Sequence, residues 1–383
     1  MTIEVIAALA VAVWLYFAFA RGGFWLASER EEGGPTCLPV WPTVTAVIPA
    51  RNEADGIGKC IGSLLAQDYP GDWSVILVDD DSSDGTASSA RQAAAAANQD
   101  ARLAVVPGEP LPAGWTGKLW AVKQGIDAAQ AAPTPPDYLL LTDADIVYAP
   151  EVLRALVARA DSGALVLTSI MVKLRCESFA ERTLIPAFIF FFQMLYPFPW
   201  VNRTGTVTAA AAGGCMLVRT EVLRQAGGIE AIRGALIDDC ALARLLKARG
   251  PIWLGLTDCV RSIRRYPRFG DIRHMVARSA YAQLRYSPLL LAGTVGGMAL
   301  AYVTPPLLAV FGNGSARVLG LFAWALMAMA FAPTLRLYRV SLLWGWALPA
   351  IALCYMLYTF DSALQFARGR GGSWKGRIQA SGP

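Results

Sequence analysis

The sequence predicts an α/β domain with transmembrane helices at both ends of the chain. Of its 383 residues, 55% are hydrophobic and only 16% are charged, which is more apolar than a typical soluble domain. Between roughly Trp41 and Ser287, short apolar runs alternate with helical stretches, as they do in α/β domains. Longer apolar runs lie outside this region. We therefore expect one soluble domain, residues 41–287, and several membrane segments.

Charge and rare residues restrict the partners. The net charge is +5, from 34 basic and 29 acidic residues without a run of like charges. We expect no nucleic-acid partner, and instead attraction to anionic lipid headgroups. The seven cysteines form no C-x-x-C pair, which indicates neither a disulfide framework nor a structural zinc site and fits a reduced, cytoplasm-facing domain. The single histidine, His274, is predicted to be a basic surface or interface position, and a Ser-His-Asp site would depend on it alone.

The first apolar run, Ile3–Ala20, is nearly as long as the roughly 20 residues that cross the hydrocarbon of a membrane. We predict an N-terminal transmembrane helix in residues 1–22. A cleaved signal peptide is the alternative, because residues 18–20 (Ala-Phe-Ala) resemble a cleavage site. The first residues nevertheless lack the basic region that begins a signal peptide.

Three further candidate spans follow in residues 288–362, namely Leu289–Phe311, Val318–Leu335 and Leu342–Phe360. Basic residues between Arg261 and Arg285 place the α/β domain in the cytoplasm by the positive-inside rule. Four spans then put the basic tail, residues 363–383, outside, which breaks the same rule. Either one C-terminal segment is re-entrant or the tail lies on the membrane, and the sequence leaves both open.

Within the α/β domain, short β-branched or leucine-rich runs bounded by turn residues are predicted strands: Val44–Ile48, Val75–Val78, Leu103–Val106 and Tyr138–Leu141. Stretches with helical composition between them are predicted helices: Gly58–Gln67, Thr86–Ala97, Leu119–Ala129 and Pro150–Ala160. The chemically interesting residues follow the strands, at the sheet edge where open α/β sheets bind ligands.

The first two strands end in polar turns. Pro49, Arg51 and Glu53 follow the first strand, and Asp79-Asp80-Asp81 closes the second. Carboxylates at a strand end accept hydrogen bonds from a pyrimidine N–H or from ribose hydroxyls. The alternative is a capped turn, with Ser83 or Asp84 capping the next helix. A cap needs only one of these side chains, which favours a ligand site.

Asp143-Ala144-Asp145 follows the fourth strand. Side chains two apart in an extended backbone share a face, so both carboxylates are predicted to bind one Mg²⁺ or Mn²⁺ that keeps positions open for diphosphate oxygens. Lys118, after the Pro- and Gly-rich stretch Pro107–Gly117, is predicted to neutralise the diphosphate. The alternative for Lys118 is an ordinary solvated lysine.

Asp238 and Asp239 precede an amphipathic helix. In one interpretation they only cap the helix and favour its dipole. In the other, Asp239 is a general base that deprotonates an acceptor hydroxyl. If that hydroxyl attacks the anomeric carbon of a sugar, one base without a separate carboxylate nucleophile would imply inversion of that carbon.

Two further segments point to a lipid. The aromatic, proline-broken stretch in residues 184–201 is predicted to be an interfacial segment that admits a lipid acceptor, with a buried core helix as the alternative. Gln283, Arg285 and Tyr286 precede the first C-terminal span. They are predicted to place a cation against a diphosphate or lipid headgroup, and ordinary anchoring at the membrane boundary is the alternative.

Together these motifs resemble the family 2 glycosyltransferases with a Rossmann-like GT-A nucleotide-sugar domain, over about residues 43–285. Residues 47–53 (VIPARNE) resemble the opening motif of that family, and residues 78–86 (VDDDSSDGT) its nucleotide-binding turn. Asp143 and Asp145 match the metal-binding D-x-D. Asp238 and Asp239 match a Glu-Asp pair whose second member is the base, although Asp238 replaces the commoner Glu. Residues 283–286 (QLRY) only loosely match the Q-x-x-R-W motif of processive synthases.

Within that family, residues 114–121 (GWTGKLWA) and the layout of one span before and three after are similar to the bacterial hopene-associated glycosyltransferases. The resemblance implies an inner-membrane enzyme that transfers a hexose or N-acetylhexosamine from a nucleotide-diphosphate sugar to a lipid hydroxyl, in hopanoid or related glycolipid synthesis. A polyprenyl phosphate acceptor and a non-catalytic membrane scaffold remain alternatives. A processive synthase would need more spans, and a nucleotidyltransferase would need a G-x-G-T-R-like loop after the first strand.

Overall fold

The computed structural model describes residues 2–31, 38–374 and 377–380. Two residues of the sequence analysis lie outside these ranges: Cys37, and Lys375 in the basic tail. The chain begins with helix α1 (Ile3–Leu15), which continues as a π-helical turn through Ala20. In chain order, the strands of the α/β domain are β1 (Val44–Ala50), β2 (Trp73–Asp79), β3 (Leu103–Pro107), β4 (Tyr138–Thr142), β5 (Ile146–Tyr148), β6 (Leu167–Lys173), β7 (Cys215–Arg219) and β8 (Ile252–Ser262).

The helices between and after these strands form two groups. Those associated with the α/β domain are α2 (Ala54–Leu65), α3 (Thr86–Ala96), α4 (Gly117–Gln130), α5 (Val152–Ser162), α6 (Phe179–Leu195), α7 (Phe198–Val201), α8 (Thr220–Gln225), α9 (Asp238–Lys247), α10 (Phe269–Ala277) and α11 (Ala280–Gln283). The C-terminal group comprises α12 (Pro288–Met298), α13 (Thr304–Phe311), α14 (Gly314–Leu337) and α15 (Leu348–Ala367), followed by strands β9 (Gly371–Trp374) and β10 (Arg377–Ala380).

The strands β1 to β8 form one mixed sheet in the order β3-β2-β1-β4-β7-β6-β8-β5. The half that contains β1 to β4 is parallel, and β7 then pairs antiparallel with β4. The predicted α/β class is confirmed, and each predicted strand lies within one of β1 to β4. The sequence analysis did not predict β5 to β8. Strands β6 and β7 are buried at nearly every residue, so they lack the alternation that distinguishes a strand from an apolar helix.

Close packing of α4 on β1 fixes the position of the first turn of α4. Every residue of β1 is buried, as expected for a parallel strand covered on both faces. Gly125 of α4 lies directly on this strand, because a Cβ at Gly125 would come within 2.4 Å of Val47 Cγ1. Only glycine allows this approach, and it sets the N-terminal end of α4 over the carboxyl ends of β1 and β4.

In the part of the chain that the structure describes, five segments are helical, long and apolar enough to cross a membrane: Ile3–Ala20, Phe179–Val201, Pro288–Phe311, Gly314–Leu337 and Leu348–Ala367. The second of them contains the predicted interfacial segment, residues 184–201. A Ser178–Glu181 capping box begins α6, which packs on the C-terminal helices through Phe190 on Phe331 and Phe191 on Tyr355. This segment is 61% buried over its most apolar window, far more than the terminal helices.

The last helix differs from the predicted span. Residues 342–345 form a 3₁₀ turn, and α15 runs from Leu348 to Ala367, so it extends into the predicted tail. The preceding helix, α14, ends against the α/β domain, where the Tyr338 hydroxyl accepts a hydrogen bond from the Leu174 N–H at 3.3 Å. The chain then turns back along α14. This is shown by the hydrogen bond that the Trp324 indole N–H of α14 donates to the Trp346 carbonyl at 3.1 Å.

The C-terminal end of α15 returns to the α/β domain. The Ser362 hydroxyl accepts a hydrogen bond from the Tyr281 N–H at 3.0 Å, and Arg273 Nε lies 3.1 Å from Asp361 Oδ2. Both ends of residues 338–367 therefore contact the same domain. These contacts are the ones expected of the re-entrant alternative, in which three helices span the membrane and the tail lies on the side of the α/β domain; that alternative stays a prediction.

We predict that an epitope tag after Pro383 is accessible from the membrane face that carries the α/β domain. A tag inserted at Asn313, in the turn between α13 and α14, should be accessible only from the opposite face. Protease protection of both tags in sealed vesicles measures this, and labelling of the exposed Cys259 reports the face of the α/β domain. If the C-terminal tag is instead accessible only from the face opposite the α/β domain, like the tag at Asn313, then α15 is a full span.

Candidate active site

Lys118 joins two of the predicted acidic positions. Its Nζ lies 2.9 Å from Asp143 Oδ1 and 3.1 Å from Asp238 Oδ2. Asp143 directly follows β4, Asp238 begins α9, and Lys118 lies in the first turn of α4. This turn is capped by Thr116, whose hydroxyl accepts a hydrogen bond from the Leu119 N–H at 3.3 Å. One ammonium group therefore joins three elements that are far apart in sequence.

The charges of this cluster depend on one another. Burial alone would lower the pKa of Lys118, but the carboxylates of Asp143 and Asp238 outweigh it and raise that pKa, so the ammonium stays charged. Burial raises the pKa of Asp143, and the charge of Lys118 opposes this shift. The cluster is an internal ion network with one cation and several carboxylates.

Asp239 lies beside this network. Its Oδ2 accepts a hydrogen bond from the Gly213 N–H at 3.0 Å, and its Oδ1 accepts one from the Cys240 N–H at 2.7 Å. Burial, and then the charge of Asp238, raise the pKa of Asp239 to about 6, while Lys118 and the two N–H groups oppose the shift. A carboxylate with a pKa near neutrality, held at a cavity wall, is suited to accept a proton.

The second carboxylate of the D-x-D, Asp145, is held by two other side chains. The Ser262 hydroxyl donates to Asp145 Oδ2 at 2.6 Å. Arg264 places Nε 3.3 Å from Oδ2 and Nη2 3.3 Å from Oδ1, and its Nη2 also lies 2.7 Å from Glu53 Oε1. The pairing of β5 with β8, which sets Ile146 opposite Ser262, produces this arrangement. The carboxylates of Asp145 and Glu53 outweigh the effect of burial and raise the pKa of Arg264.

The donor set of Asp143 and Asp145 fits a hard divalent cation. Both carboxylates line one cavity, and oxygen ligands of this kind suit Mg²⁺ or Mn²⁺. Among the residues that the structure describes, no group of three or more His, Cys, Asp or Glu side chains is arranged to hold a metal ion. The protein thus offers two carboxylates, and the remaining positions suit phosphate oxygens and water, which Mg²⁺ commonly retains.

The cavity has a volume of about 450 Å³ and three kinds of wall. Its acidic wall contains predicted site residues, namely Glu53, Asp143, Asp145 and Asp239, with Pro49 and Lys118 beside them. An apolar wall is formed by Met171, Leu174, Phe188, Phe192 and Met275. On α10, His274 and Arg278 add a basic side. Phe188 and Phe192 belong to α6, so the helix that packs on the C-terminal bundle also forms part of the cavity.

The predicted nucleotide-binding turn adjoins the cavity without lining it. Asp80 is buried, and the Arg51 guanidinium lies 3.7 Å from both Asp80 and Asp81. Asp81 is mostly exposed and has a φ of 56°. Asp79 Oδ1 accepts a hydrogen bond from the Ser82 N–H at 3.1 Å. Asp81 is thus an exposed carboxylate in the left-handed region, a backbone conformation that aspartate adopts more readily than most residues.

A cap is supplied by Asp84 instead. Asp84 Oδ2 accepts a hydrogen bond from the Ala54 N–H at 2.9 Å, at the start of the neighbouring α2. The Asn52 N–H donates to the Ser82 hydroxyl at 3.0 Å, and Asn52 Oδ1 accepts from the Ser83 N–H at 2.9 Å. These three hydrogen bonds clasp the turn after β1 to the turn after β2. Asp84 Oδ1 also accepts a hydrogen bond from the Thr86 N–H at 3.1 Å, at the start of α3, so Asp84 contacts the first turns of both neighbouring helices. A ligand role for Asp79, Asp80 and Asp81 stays a prediction.

The predicted acceptor-side residues lie near α11 and do not line the cavity. The Gln283 amide is hydrogen-bonded to the Tyr196 hydroxyl at 2.7 Å. Tyr286 stacks on Phe366 with ring centroids 4.3 Å apart, and Arg285 is exposed. Their role toward a diphosphate or headgroup stays a prediction.

The sequence analysis missed Ser262 and Arg264 as site residues and treated Arg278 only as part of a basic region. It placed His274 at the surface; the residue is exposed and also lines the cavity. Arg264 could have been found only by pairing β8 with the short strand that follows the D-x-D. Such a pairing over more than a hundred residues leaves no local signal in a single sequence.

Comparison with known proteins agrees with this geometry. Residues 45–227, slightly less than half of the chain, match the model of "Glycosyl transferase family 2". An N-acetylglucosaminyltransferase of Mesorhizobium japonicum is 30% identical over 135 residues, which are 33% of this chain and 27% of that protein. The chain thus spans about a quarter of that relative's length.

A solved structure resembles almost the whole chain. The mannosyltransferase PcManGT from Pyrobaculum calidifontis, in complex with GDP-Man and Mn²⁺, superimposes with a TM-score of 0.55 at 20% sequence identity. The similarity covers 95% of this chain and 99% of that one, and it shows a shared fold. The family match over residues 45–227 and the shared fold support the predicted GT-A fold with its mixed sheet.

We predict that Lys118→Met lowers the free energy of unfolding by about 2 kcal/mol at pH 8, because it leaves Asp143, Asp238 and Asp239 without their shared cation. Burial already raises the pKa values of Asp143 and Asp239, and without the opposing charge of Lys118 these two values rise further. Stability is then lost as the pH rises through those values, so the loss should be smaller at pH 5. Thermal unfolding in detergent at both pH values measures the effect.

Lys123→Met is the matched control. Lys123 lies on the same helix and also contacts two carboxylates, but those of Asp127 and Glu230 are about half exposed, so water screens them. We expect this control to lose less than about 1 kcal/mol, with little difference between the two pH values. Equal losses in the two variants would show that the Lys118 network does not stabilise the fold.

Proposed function

We propose that the protein is a membrane-bound inverting glycosyltransferase, which moves a sugar from a nucleotide-diphosphate sugar to a lipid hydroxyl. The observation that carries the proposal is the cavity, in which Asp239, with its pKa raised to about 6, lies on the same surface as Lys118, the D-x-D and the apolar wall of α6. A polar reaction centre beside an apolar wall suits a reaction between a charged donor and a lipid.

The donor's parts have separate candidate sites. The nucleoside would be held by the acidic turn after β2 and its ion-pair partner, namely Asp79, Asp80, Asp81 and Arg51. Pro49 and Glu53 line the cavity next to that turn. Lys118, the cation of the acidic wall, would attract the diphosphate. Asp143 and Asp145 would hold Mg²⁺ or Mn²⁺, and such an ion, when bound, neutralises charge on the leaving diphosphate.

The transfer itself requires one proton acceptor. Asp239 takes the proton of the acceptor hydroxyl, and the hydroxyl oxygen forms a bond to the anomeric carbon while the bond from that carbon to the diphosphate oxygen breaks. The nucleoside diphosphate leaves with the electron pair of the broken bond. Because the oxygen attacks the face opposite the leaving group, the anomeric configuration inverts. Asp238, held by Lys118, raises the basicity of its neighbour through its charge.

A second candidate acceptor is a polyprenyl phosphate. Arg278 and His274 give the cavity a basic side, and Arg278 forms no ion pair or side-chain hydrogen bond within the described ranges. An anionic phosphate would be attracted there. Such an acceptor needs no deprotonation, so activity would depend little on Asp239. This difference separates the two candidates.

We also propose a bacterial inner membrane location with the α/β domain facing the cytoplasm, and a role in hopanoid or related glycolipid synthesis. The contacts of Tyr338 and Ser362 with the α/β domain support the location, because a re-entrant segment between them would keep the basic tail on the same side as the basic region near Arg261. The hopanoid role rests on the resemblance of residues 114–121, where Trp115 and Trp120 pack edge to face.

The test is sugar transfer by the purified protein in lipid nanodiscs. A panel of UDP- and GDP-sugars with Mn²⁺ is offered either a hopanoid-containing lipid extract or a polyprenyl phosphate. We expect a glycolipid product, and we expect Asp239→Asn to lower kcat by roughly 10² to 10⁴ while donor binding is retained. Asp127→Asn, which removes an exposed carboxylate outside the cavity, is the control.

Retained activity of Asp239→Asn on a lipid hydroxyl would remove Asp239 from the mechanism. Retained activity only on polyprenyl phosphate would select the second candidate. Neither product nor nucleotide release with any donor, from folded protein, would favour the non-catalytic scaffold.

The pH dependence provides an independent check. The raised pKa of Asp239 means that its carboxyl keeps a proton up to about pH 6 and cannot then act as a base. We therefore expect kcat/KM for a hydroxyl acceptor to rise about tenfold per pH unit below pH 6 and to level off above it. Initial rates between pH 4.5 and 8.5 measure this limb; a profile that is flat through pH 6 contradicts the assignment of the base.

A further inference from the structure

Arg264 lies between two carboxylates that follow neighbouring parallel strands, β1 and β4. As described above, its guanidinium contacts Glu53 at the start of α2 and both oxygens of Asp145 after β4. The carboxylates are only 15% and 12% exposed, while the guanidinium is 36% exposed and lines the cavity. The cation is thus the more accessible partner of this group.

This contact offsets a repulsion. Two poorly solvated carboxylates that share one neighbour destabilise each other when both are ionised, and a guanidinium fork offers enough donors to satisfy both. Ser262 supplies one more hydrogen bond to Asp145 but no charge. Arg264 is therefore the positive charge that balances Glu53 and Asp145 in the structure described here.

A divalent cation would compete for the same oxygens. A metal ion binds a carboxylate oxygen at about 2.1 Å, and each Asp145 oxygen already has an Arg264 nitrogen at 3.3 Å. A metal on Asp145 and a guanidinium in its present place would be like charges within a few ångströms of each other. Binding of the ion therefore favours movement of Arg264 away from Asp145.

Movement of Arg264 needs a new anionic partner. The cavity that Arg264 lines is the one in which the proposed function places the donor's diphosphate, and arginine binds phosphate oxygens with two parallel hydrogen bonds. Without a diphosphate, displaced Arg264 would lose its two contacts with Asp145 and gain no anionic partner in exchange, which opposes metal binding. With a diphosphate, that cost is removed.

We propose that Arg264 is a positioning residue. In the free protein its guanidinium supplies the positive charge next to Asp145 that the metal supplies in the loaded protein, and when the metal binds the guanidinium moves to the donor diphosphate. The inference rests on the proposed function, because it takes the metal and the diphosphate from it. Its consequence is positive coupling: metal and nucleoside diphosphate each bind more tightly in the presence of the other. The free protein then holds little metal.

The experiment measures protein-bound manganese directly, without sugar transfer. Purified full-length protein in nanodiscs is dialysed to equilibrium against Mn²⁺, alone or with UDP or GDP at equal concentration on both sides. For the native protein we expect the Mn²⁺ affinity to rise at least about tenfold with the preferred diphosphate. For Arg264→Gln we expect about tenfold tighter binding of Mn²⁺ alone, and coupling that falls to less than about threefold.

Arg261→Gln is the matched control. Arg261 lies three residues earlier at the exposed end of β8, opposite Val147, and makes no ion pair in the described part of the chain. It should behave like the native protein. Arg264→Lys is a second variant, in which one ammonium replaces the fork; we expect coupling between that of the native protein and that of Arg264→Gln.

Several outcomes would overturn the inference. One is an Arg264→Gln affinity for Mn²⁺ alone that is no tighter than the native value, and another is native coupling in both Arg264 variants. An equal change in Arg261→Gln would point to a general loss of positive charge. Absence of Mn²⁺ binding by the native protein with either diphosphate would also refute the inference together with the metal assignment, while the nanodisc transfer assay separately tests the transferase proposal.

Discussion

The candidate site depends on the contact of one ammonium group with two carboxylates. Lys118 joins the end of β4 to the start of α9 through Asp143 and Asp238, and it balances a charge that would otherwise separate these elements. Its position depends in turn on the close packing of Gly125 on β1 and on the cap at Thr116. The basicity of Asp239 follows from burial and then from the neighbouring charge of Asp238, which together raise its pKa although Lys118 opposes the shift.

The sequence predicted the parts of this site that lie next to each other along the chain. The D-x-D after an apolar strand, the acidic turn after β2 and the acidic pair at the start of α9 each give a local pattern, and the structure places Asp143, Asp145 and Asp239 around one cavity. Arg264 and Ser262 reach Asp145 only through the antiparallel pairing of β5 with β8. Hydrophobic periodicity carries no information about such long-range pairs, so the contact of Arg264 with Asp145 could not be predicted.

The same limit applies to the membrane part. Apolar runs predicted the helices, because length and composition decide whether a segment can cross the hydrocarbon. The course of residues 338–367 is decided by contacts with other segments, such as Trp324 with the Trp346 carbonyl and Ser362 with α11. A hydropathy pattern counts α15 as a fourth span, and the contacts of α15 show in addition that its C-terminal end lies against the α/β domain.

The clasp between the turns after β1 and β2 has a mechanical consequence. Asn52 forms hydrogen bonds with Ser82 and Ser83, and Asp84 accepts one from the Ala54 N–H, so the two turns form one rigid unit. Glu53 belongs to the turn after β1, and Asp79 to Asp81 belong to the acidic turn after β2. Any displacement of the acidic turn would therefore displace Glu53 as well, and Glu53 contacts Arg264 through an ion pair of 2.7 Å. The rigidity of these two turns thus links the position of the acidic turn to the position of the Arg264 guanidinium.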